Sequence, residues 1–173
     1  FMPHLHMSFQ AGDDMILKRM KRRHSRAQAV ETVARLKAKR PEIAIGADLI
    51  AGFPTETEKM AENSLRLIDD CDIVMGHIFP YSPKQGTPAA RMPQVLAEAI
   101  KARAQRLREA TARRKAAWLD EMVGTRQRVL VERGGTGHSE NFAPVRVKGH
   151  EVGKVVEVTI TDIDGGMLIG EAA

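Results

Sequence analysis

Two short apolar runs, residues 43–50 and 73–79, flank a segment one helix long, and this spacing constrains the fold more than any other feature. The first run, Ile43-Ala44-Ile45-Gly46-Ala47-Asp48-Leu49-Ile50, is almost continuously apolar. That is the pattern of a parallel strand buried on both faces. Thr55 is placed to cap the helix between the runs, with Glu58 three residues on closing a capping box. Met60, Leu65, Leu67 and Ile68 supply its apolar positions. Strand, helix and strand at this spacing predict a βαβ unit, right-handed by the crossover rule. Upstream, residues 4–9 alternate as a strand does. Asp13 can cap a short helix with Ile16, Leu17 and Met20 on its apolar side. Ser25 and Gln28 form a second capping box, opening a helix that runs towards Pro41. Downstream, Leu96, Ile100, Leu107 and Trp118 mark a long helix from about residue 94 to 122.

At Gly124 the pattern changes. Residues 128–132, 142–147, 155–160 and 167–169 read as short strands, with Gly134-Gly135-Thr136-Gly137 as a turn. Glycine-separated short strands predict a small β-barrel. The expected domains are therefore an α/β part, residues 1–123, and an all-β part, residues 124–173. About fifty residues bury little core, so the β part is expected to dock on the preceding helix.

Composition bounds the function. Of the 173 residues, 43% are hydrophobic and 28% charged, the balance of an ordinary globular chain. No run approaches the ~18 apolar residues of a membrane span, and no leader pattern opens the chain, so a cytoplasmic protein without a membrane partner is expected. The first residue is Phe1, which suggests a piece of something longer. A net charge of +5 and a pI near 9.6 favour a polyanionic partner such as RNA. Cys71 is the single cysteine, so neither a disulfide nor a thiolate-ligated cluster can be assembled from this chain alone.

The candidate site residues sit where parallel strands end, the edge at which α/β folds bind ligands. They are Gln10 after the first strand, Asp48 near the end of the second, and Tyr81-Ser82 after the third. An acid inside an apolar run either meets a ligand or pairs with a neighbouring polar group, because burying it alone costs several kcal/mol. Gly52-Phe53-Pro54 turns the chain tightly beside it. Lys18, Arg19, Lys21, Arg22, Arg23 and Arg26 form a basic run that is either a solvated face or a phosphate-binding one. Arg103, Arg106, Arg108, Arg113, Arg114 and Lys115 on the long helix read as a solvent face with local ion pairs. In the β part, Phe142 lies near Arg128, Arg146, Lys148 and His138. Such a ring either stacks on a base or packs in the core. His4 and His6 share one strand face, which suits a metal or a polar barrel interior; no metal-ligand motif is present.

Four linked stretches carry a family resemblance. They are residues 4–14 with the basic run at 17–22, residues 48–57, residues 79–89, and the 124–170 strand pattern. In order and spacing they resemble the radical S-adenosylmethionine methylthiotransferases. The last stretch is similar to the TRAM module that ends those enzymes. The His4-Leu5-His6 wording and the basic run most resemble the branch acting on threonylcarbamoyladenosine in tRNA. The resemblance implies the second half of a TIM-like radical-SAM barrel followed by an RNA-binding β-domain. It places Gln10, Asp48, Phe53 and Tyr81 on the S-adenosylmethionine edge. It assigns Lys18, Arg19, Lys21, Arg22, Arg23, Arg128, Phe142 and Arg146 to the tRNA anticodon arm. The family's [4Fe-4S] clusters are held by cysteine triplets that this chain lacks, and Gln10-Ala11-Gly12 stands where Gln-Ser-Gly is usual. The expectation is therefore a C-terminal portion, inactive alone, with no catalytic or metal-ligating residue of its own. Missing N-terminal cluster domains are its implied partner. A half-barrel would expose sheet edges and self-associate. Two alternatives stand: a non-catalytic RNA-binding protein on a truncated α/β scaffold, and a methylthiotransferase acting on isopentenyladenosine tRNA or a ribosomal protein.

Overall fold

The computed structural model describes residues 2–172; Phe1, on which the expectation of a longer parent rested, lies outside them. The chain divides into two compact units. One comprises Leu5–Pro41 and Ile45–Arg114; the other comprises Phe1–His4, Glu42–Ala44 and Lys115–Ala173.

The first unit is built on a three-stranded sheet ordered β1 (His4–Gln10), β2 (Ala44–Ala51), β3 (Ile73–Pro80). β2 and β3 run parallel, with Asp48 opposite His77 and Ile50 opposite Phe79. Alternation sorts the side chains. Ile45, Ala47, Leu49 and Ala51 are all fully buried on one face, while Asp48 and Ile50 on the other are only half-buried. The helices α1 (Asp14–Arg19), α2 (Arg26–Lys39), α3 (Glu58–Asp70) and α4 (Ala97–Asp120) supply the remaining core residues, among them Ile16, Leu17, Val33, Leu67, Ile68 and Leu107. Asp13 caps α1, accepting from the backbone N–H of Met15 and Ile16 at 3.0 and 3.2 Å. Ser25 and Gln28 make the capping box that the sequence predicts.

One predicted cap moves. The α3 N-cap is Thr57, which accepts from Met60 N–H, and Thr55 stands outside the helix in left-handed backbone at φ 69°. A capping residue needs extended backbone, so Thr55 cannot serve. The two-residue shift turns Glu56 inward, where its carboxylate accepts from Gly52 N–H at 3.0 Å and from Arg103 Nη1 at 3.1 Å. Arg103 is thus buried in an ion pair and does not belong to a solvent face.

Asp72, in the turn between α3 and β3, is gripped by Lys37 from α2 and Arg114 from α4. Burial raises its pKa, but the hydrogen bonds from Arg114 and Lys37 outweigh it, and the net shift is below the ordinary 3.8. A carboxylate depressed in the folded state stabilises above its unfolded pKa, and that contribution is lost as pH falls through the folded value. Asp72→Asn should therefore lower Tm at neutral pH and flatten the acid limb of a Tm-against-pH profile. Asn tolerates the φ of 46° at this position, so the change tests charge without backbone strain. Parallel profiles for the two proteins would refute the assignment.

The second unit is a closed five-stranded barrel in the order β4 (Arg126–Glu132), β5 (Thr136–Ser139), β6 (Pro144–Val147), β8 (Met167–Ala172), β7 (Val155–Asp164). The sequence predicts four of these strands and places β5 within the glycine turn. Gly134 and Gly135 do make a turn at positive φ, but Thr136 and Gly137 already pair with Glu132 and Val131. Val129, Val131, Val145, Val147, Val158, Ile160 and Leu168 fill the barrel, and Leu119 and Met122 join the same cluster. None of the described helices is long and apolar enough to cross a membrane.

Candidate functional site

The ends of β1 and β2 open onto a cleft of about 450 Å³. Its apolar wall is Met20, Ile50, Phe53 and Met92; its polar side is Gln10 with Arg19, Lys21 and Arg22. Local chemistry builds each wall. The hydrogen bond from Gly52 to Glu56 closes the tight turn that carries Phe53. Gly12 donates to Ser64 Oγ at 2.9 Å, and a Cβ there would lie 2.5 Å from Asn63 O, so glycine is what lets the β1–α1 turn seat against α3. Gln10, at the strand end, has φ 68°, and Lys21 has φ 56°. Non-glycine residues held in left-handed backbone carry strain that the surrounding structure must impose, and such strain concentrates at ligand sites.

Two buried polar atoms in this region lack a partner among the described residues: Arg19 Nη1, in the cleft lining, and the hydroxyl of Tyr81, whose ring packs on Phe53. Tyr81 stands edge-on to Phe53, ring centroids 5.4 Å apart. A buried hydroxyl without a hydrogen bond costs about 1–3 kcal/mol, and so does an unmet guanidinium N–H, so both fit a ligand that brings acceptors. Arg19, Lys21 and Arg22 have no carboxylate partner among the described residues. Of the four expected cofactor contacts, Gln10 and Phe53 line the cleft, and Tyr81 packs against Phe53 without lining it. Asp48 does not line the cleft.

Asp48 lies on the same sheet face, two residues before Ile50. Its Oδ1 is 2.8 Å from His6 Nε2 and 3.3 Å from His77 Nδ1. The hydrogen bond with His6 is the largest influence on the carboxyl and outweighs desolvation; with both imidazoles nearby it stays below the ordinary carboxylate range. The polar-partner alternative for Asp48 thus holds, with a partner on each side. Sequence reading marked His6 but missed His77. The signal available was that His6, Asp48 and His77 fall on three successive strands.

On the barrel, Phe142 is half exposed and already carries two stacked imidazoles. His4 stacks on it at 4.9 Å and His138 at 4.5 Å. Arg128 pairs with Glu140 at 2.8 Å and Arg146 with Asp164 at 2.7 Å, so neither is an uncommitted cation. Cys71 is fully buried, and desolvation pushes its thiol up to about 12, which makes it unfit as a cluster ligand.

Residues 2–68 match the family model of the Radical SAM superfamily. The chain is 45% identical over 96% of its length to threonylcarbamoyladenosine tRNA methylthiotransferase MtaB of Rickettsia prowazekii (strain Madrid E), covering 40% of that protein. It is 41% identical over 97% of its length to tRNA-2-methylthio-N(6)-dimethylallyladenosine synthase of Alkalilimnicola ehrlichii, again covering 40%. The chain thus spans about two fifths of the length of these relatives.

Proposed function

We propose, from the premise that this chain is related to the radical SAM methylthiotransferases, that it forms the part of such an enzyme that orients S-adenosylmethionine and grips tRNA. The observation that carries the reading is the cleft at the strand ends, with the orphaned Arg19 Nη1, strained Gln10 and a basic rim that has no carboxylate partner among the described residues. Phe53, Ile50 and Met92 suit one side of a flat purine. The Tyr81 hydroxyl and the Gln10 amide suit its ring nitrogens or ribose, and Arg19 a carboxylate. When bound, S-adenosylmethionine supplies the methyl and radical chemistry, with iron–sulfur clusters from elsewhere in the enzyme. The residues of this chain bind, orient and exclude water. The three-stranded sheet is then the later half of a TIM-like barrel, whose missing strands and cluster domains are the first partner. The β-barrel is a TRAM-like module.

The proposed substrate is adenosine 37 in the tRNA anticodon arm, carrying threonylcarbamoyl. The higher identity to the threonylcarbamoyl-specific relative supports that modification over dimethylallyl. Arg22 and Arg23, both exposed, are offered to backbone phosphates. The Arg128 and Arg146 ion pairs must open before the barrel can use them.

The test is a titration of anticodon stem-loops carrying threonylcarbamoyladenosine, dimethylallyladenosine or plain adenosine, at rising salt. Contact with about four phosphates gives a log K against log salt slope near −3. The Arg22→Glu/Arg23→Glu double variant should weaken binding roughly tenfold and shallow that slope by about 2. A salt-independent affinity, or one indifferent to the charge reversals, would remove the tRNA assignment.

A further inference from the structure

We infer that His6, Asp48 and His77 form a binding site for one divalent transition-metal ion of the zinc class, on the open face of the three-stranded sheet. The inference goes beyond the cofactor cleft and stands on these three strands alone. Each strand supplies one ligand: His6 from β1, Asp48 from β2, His77 from β3. Their donor atoms, one per residue, all lie within 4.8 Å of one another. Asp48 Oδ1 is central, 2.8 Å from His6 Nε2 and 3.3 Å from His77 Nδ1, and the two imidazole centroids are 4.5 Å apart. Ligands at about 2.0–2.1 Å around a tetrahedral ion stand roughly 3.4 Å from each other, so small side-chain rotations close the site.

The donor set is two imidazoles and one carboxylate, which selects zinc, cobalt or iron over magnesium or calcium. Three protein ligands leave a fourth position open, and the exposed His77 keeps that position in contact with solvent. Backbone design supports the arrangement. A Cβ on Gly46 would sit 2.5 Å from His6 Nδ1, so only glycine on β2 lets the His6 ring lie across the strand with Nε2 turned to Asp48. Without metal, a hydrogen bond joins His6 Nε2 and Asp48 Oδ1; an ion bound there would take its place, with the neutral His6 ring carrying its proton on Nδ1.

The experiment titrates cobalt(II), then zinc(II), into tag-free, chelator-stripped protein and follows the visible absorption of low-coordinate cobalt. One equivalent should saturate the bands, and zinc should abolish them. His77→Ala removes a solvent-exposed ligand, and Asp48→Asn removes the central charge. Each should weaken cobalt binding on the order of 100-fold. Gly46→Ala should weaken it by displacing His6, whereas His150→Ala, distant in sequence and outside the triad, should leave it unchanged. Circular dichroism melts of each variant confirm that the fold is kept; His77→Ala is the variant least able to disturb it. Absence of a saturable cobalt site, or equal affinity in folded His77→Ala protein, overturns the inference.

Discussion

Replacing Arg103 by methionine should cost about 3–5 kcal/mol of stability, the largest loss expected from any single surface-to-core charge in this chain. Arg103 is on α4, and its side chain is only 10% exposed. It donates to the Glu56 carboxylate at 3.1 Å and to the Glu56 backbone oxygen at 2.9 Å. Glu56 is more buried still, at 1%. Desolvation already raises its pKa, and the Gly52 N–H and Arg103 hold that rise in check. Without Arg103 the carboxylate is a buried charge with one backbone donor. It must either stay ionised at high cost or take up a proton.

The pH dependence follows from that sign. An acid whose folded pKa is raised binds more protons in the native state than in the unfolded chain, so its contribution to stability falls as pH rises. The Arg103→Met penalty should therefore be greatest at neutral pH, shrink as pH falls through the raised folded-state pKa of Glu56, and be smallest below the ordinary Glu value of 4.5. Adding Glu56→Gln should recover part of the loss, since the amide needs no counter-charge. Urea denaturation of both variants at two pH values checks this. A loss under 1 kcal/mol at neutral pH, or no recovery in the double variant, would show that the pair is not the anchor. The same pair holds the Gly52 turn, so Arg103→Met should also loosen Phe53 and the cleft wall.

Much of this architecture is written in local patterns. The apolar run at 43–50 is the buried strand β2, and the Ser25/Gln28 pair opens α2, because both signals depend on neighbours in sequence. What failed was what long-range contacts decide. Thr55 and Thr57 are equally good caps on paper; the choice fell to Thr57 because Glu56 is drawn into the core by Arg103, forty-seven residues away. The arginines of α4 read as a periodic solvent face, yet α3 and the Gly52 turn bury one of them. Phe142 was legible as an aromatic among bases, but the imidazoles covering it come from His138 and from His4 at the far end of the chain. His77 escaped notice for the same reason, since its partners His6 and Asp48 are separated from it by helices. Alternation on three strands puts them on one face; only the register, Asp48 opposite His77, puts them at one height.

Gly137→Ala should cost the barrel about 3 kcal/mol, far more than alanine usually costs in a strand. Gly137 has no unusual φ, so the reason is steric and not conformational. A Cβ at this position would lie 2.2 Å from Leu130 O and 2.8 Å from Val129 Cγ1. A carbonyl oxygen cannot rotate away as a flexible side chain can. β4 is also pinned on its other edge, where Val129 pairs with Val156 and Leu130 with Val155 on β7. The strain must then fall on β5, which has to leave β4, β6 or both, and a closed barrel has no free edge to take up the shift. Gly149 makes the contrast. It has φ 79° but nothing within 4 Å of a Cβ, so Gly149→Ala should cost only about 1 kcal/mol of backbone strain. The single tryptophan, Trp118, packs against the barrel cluster, so its fluorescence reports this unit in particular. Denaturation followed at Trp118 should rank Gly137→Ala well below Gly149→Ala. Equal midpoints would mean that β5 is not held as tightly against β4 as the pairing requires, and that the 134–137 segment behaves as the turn its glycines first suggest.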